Sequence, residues 1–200
     1  MNKGLTAKGR ATRQRIVVAA AHLTRQKGAA ETTLDDVRAA TATSKSQLFH
    51  YFPDGRADIL TAVAEYEAEQ VLEVQQPFLG NLTTWDAWQK WRQAVLDHYT
   101  ELGRQCPLGS LTTELGKSSP QAGAIVTTLF DGWEEALLKG VRATTPGASP
   151  EAARDHARSI LAAVQGGVIM LQATGRTEYL EAALTAAIEP LRPTTGTAGD

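Results

Sequence analysis

Apolar positions recur at intervals of three and four along nearly the whole chain, and no run of alternating β-branched residues is bounded as a strand would be. The pattern predicts an all-α fold of about nine helices. Ile16, Ala19, Ala20 and Leu23 form a first stripe over about 12–26, which Gly28 closes as a C-terminal stop. Thr33 then occupies an N-cap position with Asp36 three residues on, and Leu34, Val37 and Ala40 supply the buried side of a short helix over about 33–40. Ser44 is a second cap, followed by a short third helix that Pro53-Asp54-Gly55 ends. Two short helices joined by three or four residues, the second carrying Ser, Lys, Gln and His outward, have the spacing of a helix-turn-helix. A pair of short helices in an ordinary bundle has the same spacing.

Beyond this three-helix head the periodicity lengthens, predicting helices over about 56–76, 84–103, 119–143, 150–174 and 177–191, with breaks at Pro77, Pro107, Pro120 and Pro146-Gly147. The organisation read from the sequence is a head over 1–55, a larger helical body over 56–192 and a frayed tail over 193–200. Trp88, Trp91, Val95 and Tyr99 share one broad face of the 84–103 helix, and Phe130 and Trp133 sit on the next. With Leu111 and Val164 they are candidate lining for a pocket that takes an apolar or planar small molecule. Taken singly, each aromatic reads more readily as core packing than as ligand lining. The stretch 160–171 is apolar nearly all round and contains Gly166-Gly167, so both its sides must be covered. One side faces its own core. The other, with Leu161, Val168 and Leu171 joined by Leu180, Leu184 and Ile188 of the last helix, is predicted to form a two-fold interface with a second copy of the chain.

Charge sharpens the division. The 200-residue chain has a formal net charge of −2, yet residues 1–56 carry +6 and the remainder −8. A basic head on an acidic body is expected when only one end approaches phosphates, although chance clustering on a solvated surface gives the same count. Lys8, Arg10 and Arg13 are read as an N-terminal arm adding nonspecific affinity. The apolar run 160–171 is well short of the ~20 residues that span a bilayer, and Arg13-Gln14-Arg15 interrupts any signal-peptide core. No membrane partner and a cytoplasmic location are expected. The lone Cys106 forms no intramolecular disulfide and reads as a small buried residue rather than a sensor. His22, His50, His98 and His156 are scattered, with no metal-ligand spacing, Gly-rich phosphate loop or nucleophile elbow. Neither catalysis, a metal nor a cofactor is expected.

The segment Thr32-Thr33-Leu34-Asp35-Asp36-Val37-Arg38-Ala39-Ala40, followed by Ser44-Lys45-Ser46-Gln47-Leu48-Phe49-His50-Tyr51-Phe52-Pro53, resembles the DNA-binding signature of TetR/AcrR-family transcriptional regulators over roughly residues 10–65. It departs from that signature at Ala42 (usually Gly), Thr43 (usually Val) and Phe49 (usually Tyr), and Ala42 is expected to strain the turn because Gly tolerates positive φ and Ala does not. The stretch from Cys106 to Gly116 resembles an LmrA/YxaF-like branch, and its Pro-Gly break reads as a lever between pocket and head. The resemblance implies a homodimer that binds a double-stranded DNA operator and responds to a small-molecule effector, with repression as the default. It implies that Thr33, Ser44, Lys45, Gln47, His50, Tyr51 and Arg56 face DNA. By chemistry, Gln47 suits paired hydrogen bonds to adenine, Lys45 suits guanine or phosphate, the hydroxyls of Thr33 and Tyr51 suit phosphate oxygens, and Arg56 suits a phosphate at the start of the fourth helix. Phe49 and Phe52 read as core. The alternative is an all-α small-molecule-binding protein without sequence-specific DNA binding, distinguished by a basic head indifferent to duplex DNA.

Overall fold

A computed structural model of the chain describes residues 4–103, 109, 112 and 114–193. Among these residues there are eight α-helices and no strand: α1 (Ala7–Lys27), α2 (Leu34–Thr41), α3 (Lys45–Tyr51), α4 (Arg56–Glu73), α5 (Trp85–Leu102), α6 (Pro120–Thr144), α7 (Pro150–Thr174) and α8 (Glu178–Ile188). The all-α expectation holds. Two compact units divide the chain: Met1–Val71 with Pro107–Leu129, and Leu72–Cys106 with Phe130–Asp200. The boundary read at 55/56 isolates the helix-turn-helix, whereas the first compact unit also includes α4 as far as Val71. The calls on Leu111, Cys106 and the tail from 194 lie outside the described residues.

In the first unit α1 begins at Ala7, because Thr6 caps it: the Thr6 hydroxyl accepts from the Gly9 N–H. The apolar stripe starts only at Ile16, so periodicity alone places the start too late. The reading of Lys8, Arg10 and Arg13 as a free arm is therefore corrected: all three lie on α1. Ile16, Val17, Ala20 and Ala21 are buried along its inner face. In α2 the inward positions are Val37 and Thr41 rather than Ala40, which is exposed. The α4 interior holds Ile59, Leu60, Val63 and Ala64, and also Glu67, which is 0% exposed. Arg25 of α1 donates to both Glu67 carboxylate oxygens at 3.0 and 3.1 Å. Burial pushes the Glu67 carboxyl up from its ordinary pKa, and Arg25 opposes that rise.

The second unit is built around large apolar side chains. Trp88, Trp91, Val95, Leu96 and Tyr99 of α5 are buried, and the Trp88 and Trp91 rings meet edge to face at 5.6 Å. Gly140 of α6 permits a close approach: a Cβ there would lie 2.5 Å from the Leu82 Cβ and 2.8 Å from the Trp88 ring. Arg92 ties α5 to α8 through Glu181 and Thr185, and Arg154 and Arg158 of α7 bracket Glu134 of α6.

The seam between α7 and α8 corrects the predicted two-fold interface. Val168, Leu171, Leu180, Leu184 and Ile188 are at most 1% exposed within the single chain, and Leu161 is half-buried. These side chains are consumed by packing α8 on α7, where a Cβ at Gly167 would stand 2.6 Å from the Leu180 Cα. The face left open lies on the other side of both helices. Ile169, Met170 and Tyr179 are 45%, 39% and 39% exposed. Around them Ala162, Gly166 and Ala173 on α7, and Ala182 and Ala186 on α8, are exposed at helical spacing.

Candidate nucleic-acid interface

Two caps made by sequence-local chemistry define the helix-turn-helix. The Thr33 hydroxyl accepts from the Asp36 N–H while the Asp36 carboxylate accepts from the Thr33 N–H, closing a capping box at the start of α2. The same carboxylate takes hydrogen bonds from Lys27 Nζ and the Thr33 hydroxyl, and these, the Lys27 bond foremost, hold it well below the usual carboxylate range. Between the helices Ala42 has φ 50° and ψ 36°, so the strained turn expected from Ala in place of Gly is present. Thr43 is buried, and its hydroxyl lies 2.8 Å from that of Thr41. A second box follows: Ser44 Oγ accepts from the Gln47 N–H, and Gln47 Oε1 accepts from the Ser44 N–H, both at 3.1 Å.

Gln47 Oε1 thus already accepts one hydrogen bond at the helix start, and pairing with adenine would add that oxygen's second lone pair to the amide N–H. The buried side of α3 is fixed by Leu48, which is 0% exposed. Residues two positions before and after it are turned about 200° away by the helical repeat, so Ser46 and His50 point most directly outward, and Lys45, Gln47 and Phe49 are also exposed. Phe52 is core at 1% exposure as expected, but Phe49 is not: it is 38% exposed. Ser46 and Phe49 were missed by sequence reasoning, although the spacing from Leu48 marks Ser46. Tyr51 is half-buried, with its ring edge to face with His50 at 4.9 Å.

The cationic residues divide by what they already hold. Lys8 is exposed on the first turn of α1, Arg10 donates to the Leu5 carbonyl, and the Arg13 guanidinium lies 5.1 Å over the Phe52 ring. Arg13, His50 and Tyr51 share a cavity of about 380 Å³. Arg56 departs from its expected role. Its guanidinium donates to the carbonyls of Ala29, Ala30 and Thr32 in the α1–α2 loop, so it braces the head instead of presenting a free cation to a phosphate.

In the second unit the predicted pocket residues Trp88, Trp91, Val95, Tyr99, Trp133 and Val164 are at most 1% exposed, and Phe130 is half-buried. Trp91 Nε1 donates to Gln75 Oε1 at 3.0 Å. Trp88 Nε1, Trp133 Nε1 and Gln165 Oε1 are buried without a hydrogen-bond partner among the described residues, an arrangement that leaves two donors and one acceptor unmatched. A separate cavity of about 410 Å³ lies between Leu79–Thr83 and the Gly132–Gly140 face of α6.

Residues 16–63 match the family described as bacterial regulatory proteins, tetR family, and residues 85–186 match the C-terminal domain of LmrA/YxaF-like transcriptional regulators. The chain is similar to an uncharacterized HTH-type transcriptional regulator of Mycobacterium tuberculosis, 29% identical over 164 residues, covering 79% of this chain and 82% of that one. Among solved structures it resembles a transcriptional regulator from Cytophaga hutchinsonii, with a TM-score of 0.76, 21% identity, and 94% of this chain and 96% of the other covered. It also resembles a regulator from Saccharomonospora viridis solved in complex with choline, with a TM-score of 0.72, 17% identity, and 90% and 96% of the two chains covered.

Proposed function

The chain belongs to the TetR family of bacterial transcriptional regulators, in its LmrA/YxaF-like branch, and we propose that it represses from a palindromic operator which a small effector makes it release. It is a DNA-binding transcriptional regulator rather than an enzyme. The observation that carries the operator reading is the outward face of α3. A seven-residue helix is anchored by one fully buried side chain, Leu48, and capped at its start, which leaves Ser46, His50, Lys45 and Phe49 free to meet base edges. Lys and Ser offer hydrogen bonds to guanine or to either purine, and an exposed phenyl ring suits a thymine methyl group. Thr33, Ser44, Tyr51, Lys8, Arg10 and Arg13 surround that helix in the assignment and take phosphates, which set register and salt dependence but carry no sequence information.

A homodimer supplies the two-fold symmetry. Its interface is assigned to the Ile169, Met170 and Tyr179 stripe, since large apolar side chains on adjacent helices are exposed there and Gly166 leaves open space for a partner backbone. Two copies of α3 then meet successive major grooves about 34–36 Å apart or at a multiple of that distance. The effector site is assigned to the aromatic interior of the second unit. Its unmatched indole N–H groups favour a planar or apolar molecule that carries a hydrogen-bond acceptor, and the choline held by the Saccharomonospora relative supports small-molecule binding by this fold. An effector shifts the heads only by its differential affinity for two states of the dimer. The protein acts in the cytoplasm, where its DNA is.

Selection of bound duplexes from a random pool by the purified full-length chain tests the reading. An enriched inverted repeat is the expected result. Recovery of unenriched DNA would favour the alternative of a helical ligand-binding protein without sequence readout.

A further inference from the structure

The sequence stretch from Cys106 to Gly116 runs through Glu114, and this residue reaches far along the chain. Its carboxylate accepts from the backbone N–H of Ala29, 85 positions away, in the loop between α1 and α2. Ala29 is 5% exposed, so removal of the acceptor strands a nearly buried N–H. Gly28 shows the fit independently. It has φ 90°, and a Cβ there would stand 3.1 Å from Glu114 Oε2, so the loop gives the carboxylate room by carrying no side chain. The carbonyls of the same loop are held by Arg56, which donates to Ala29, Ala30 and Thr32. The Thr32 hydroxyl closes the loop onto the Gly28 carbonyl at 2.8 Å.

An anion therefore holds one donor of this loop and a cation holds three of its acceptors, and charge-assisted hydrogen bonds of this kind are the strong ones. The Arg56 and Thr32 contacts come from the head's own sequence. The Glu114 contact comes from a later segment, Pro107–Leu129, which belongs to the same compact unit as the head although it lies within the C-terminal family match, 85–186. The loop joins α1 to α2, the first helix of the helix-turn-helix.

We propose that Glu114 is a positioning residue for DNA recognition: its carboxylate sets the α1–α2 loop, and through it the pose of α3, so that a change at Glu114 alters operator affinity without touching DNA. This rests on the reading of α3 as the DNA-contacting helix. Removal of the acceptor leaves the α3 capping box in place, because Ser44 and Gln47 form it between themselves, but frees the helix's orientation.

The test uses the full-length chain carrying Glu114→Ala or Glu114→Gln, with hydrogen exchange at the Ala29 amide and affinity for the duplex that the wild type selects from a random pool. Loss of a charge-assisted bond predicts that Glu114→Ala speeds Ala29 exchange about ten-fold and weakens duplex binding about five-fold or more, with helical content unchanged. Glu114→Gln keeps an acceptor oxygen at the same reach and restores most of the affinity, which a purely bulk effect on stability would not do. Glu114 is exposed, so neither change opens a core cavity. Should the Ala variant unfold, Glu114→Asp withdraws the acceptor by one carbon and is read in the same two ways. Wild-type exchange at Ala29, or affinity within two-fold of wild type, in the Ala variant overturns the proposal. Failure of the wild type to select any duplex defeats the DNA reading instead, and Ala29 exchange still reports whether the contact exists.

Discussion

The helix-turn-helix and the second unit are both helical, but they are held by different means. In the first, elements of seven and eight residues are delimited by a hydroxyl paired with a carboxylate in α2 and with a side-chain amide in α3, within three positions of each helix start. In the second, helices of up to 25 residues are fixed by tryptophans and by glycines that let backbones approach. Isolated helices this short are marginal in water, so the head needs both its caps and its few anchors, and its outward face stays free for a partner. The second unit spends most of its apolar surface internally, and among the described residues the large apolar side chains it leaves exposed, Ile169, Met170 and Tyr179, lie on α7 and α8.

This contrast can be broken at several points, of which the largest concerns the head's anchor. Leu48→Ala should lower stability by about 2–5 kcal/mol, measured by urea unfolding, since a fully buried leucine is replaced by a cavity. A loss below about 1 kcal/mol would mean that the caps suffice. In the second unit Gly167→Ala should cost on the order of 1–3 kcal/mol, because the new methyl meets the Leu180 backbone at 2.6 Å. Gly166→Ala, with nothing within 4 Å, should be neutral or stabilise the helix slightly, and equal effects at the two sites would dissolve the distinction between seam and open face.

Smaller effects belong to the caps and the turn. Ser44→Ala should cost about 1 kcal/mol by thermal unfolding, and retention of full stability would remove the capping box from the account. Ala42→Gly should add roughly 0.5 kcal/mol, since it relieves a left-handed alanine at φ 50° while adding freedom to the unfolded chain. The smallest expected effect is a pH dependence at Asp36. Its folded pKa lies below the ordinary 3.8 because Lys27 and Thr33 bond the carboxylate. The stability it supplies is therefore fully present above that ordinary value and fades as pH falls toward the folded one. Asp36→Asn should flatten the acid limb of a stability profile, and an unchanged limb would show that the box contributes nothing through charge.

The same contrast explains what the sequence discloses. Thr33 with Asp36, Ser44 as a cap and the strain at Ala42 are legible because each depends on neighbours within a few positions. The first turns of α1 are not legible as helix, because a Thr cap and alanines extend it where no burial pattern marks it. Gln47 has two chemically valid partners, a base and its own cap, and its neighbours in sequence do not rank them. Phe49 looks like core by type, while its exposure depends on how α3 is rotated about Leu48. The aromatic helices of the second unit were legible as elements, but which apolar side of α7 faces α8 depends on the approach of Gly167 to Leu180, 13 positions away in sequence. Arg56 and Glu114 act on the α1–α2 loop from a distance, and no local pattern reveals either.

The claim that α3 reads DNA is tested most directly by fluorescence anisotropy of the wild type and a Ser46→Ala/His50→Ala double variant on the selected duplex and a scrambled one, at about 50 and 200 mM salt. The account predicts that the wild type prefers the selected duplex by roughly 10³-fold or more. It further predicts that both affinities fall steeply with salt, and that the double variant loses most of the preference while keeping the salt dependence. A double variant that retains the full preference would contradict it, because the two most outward side chains of α3 would then read no sequence.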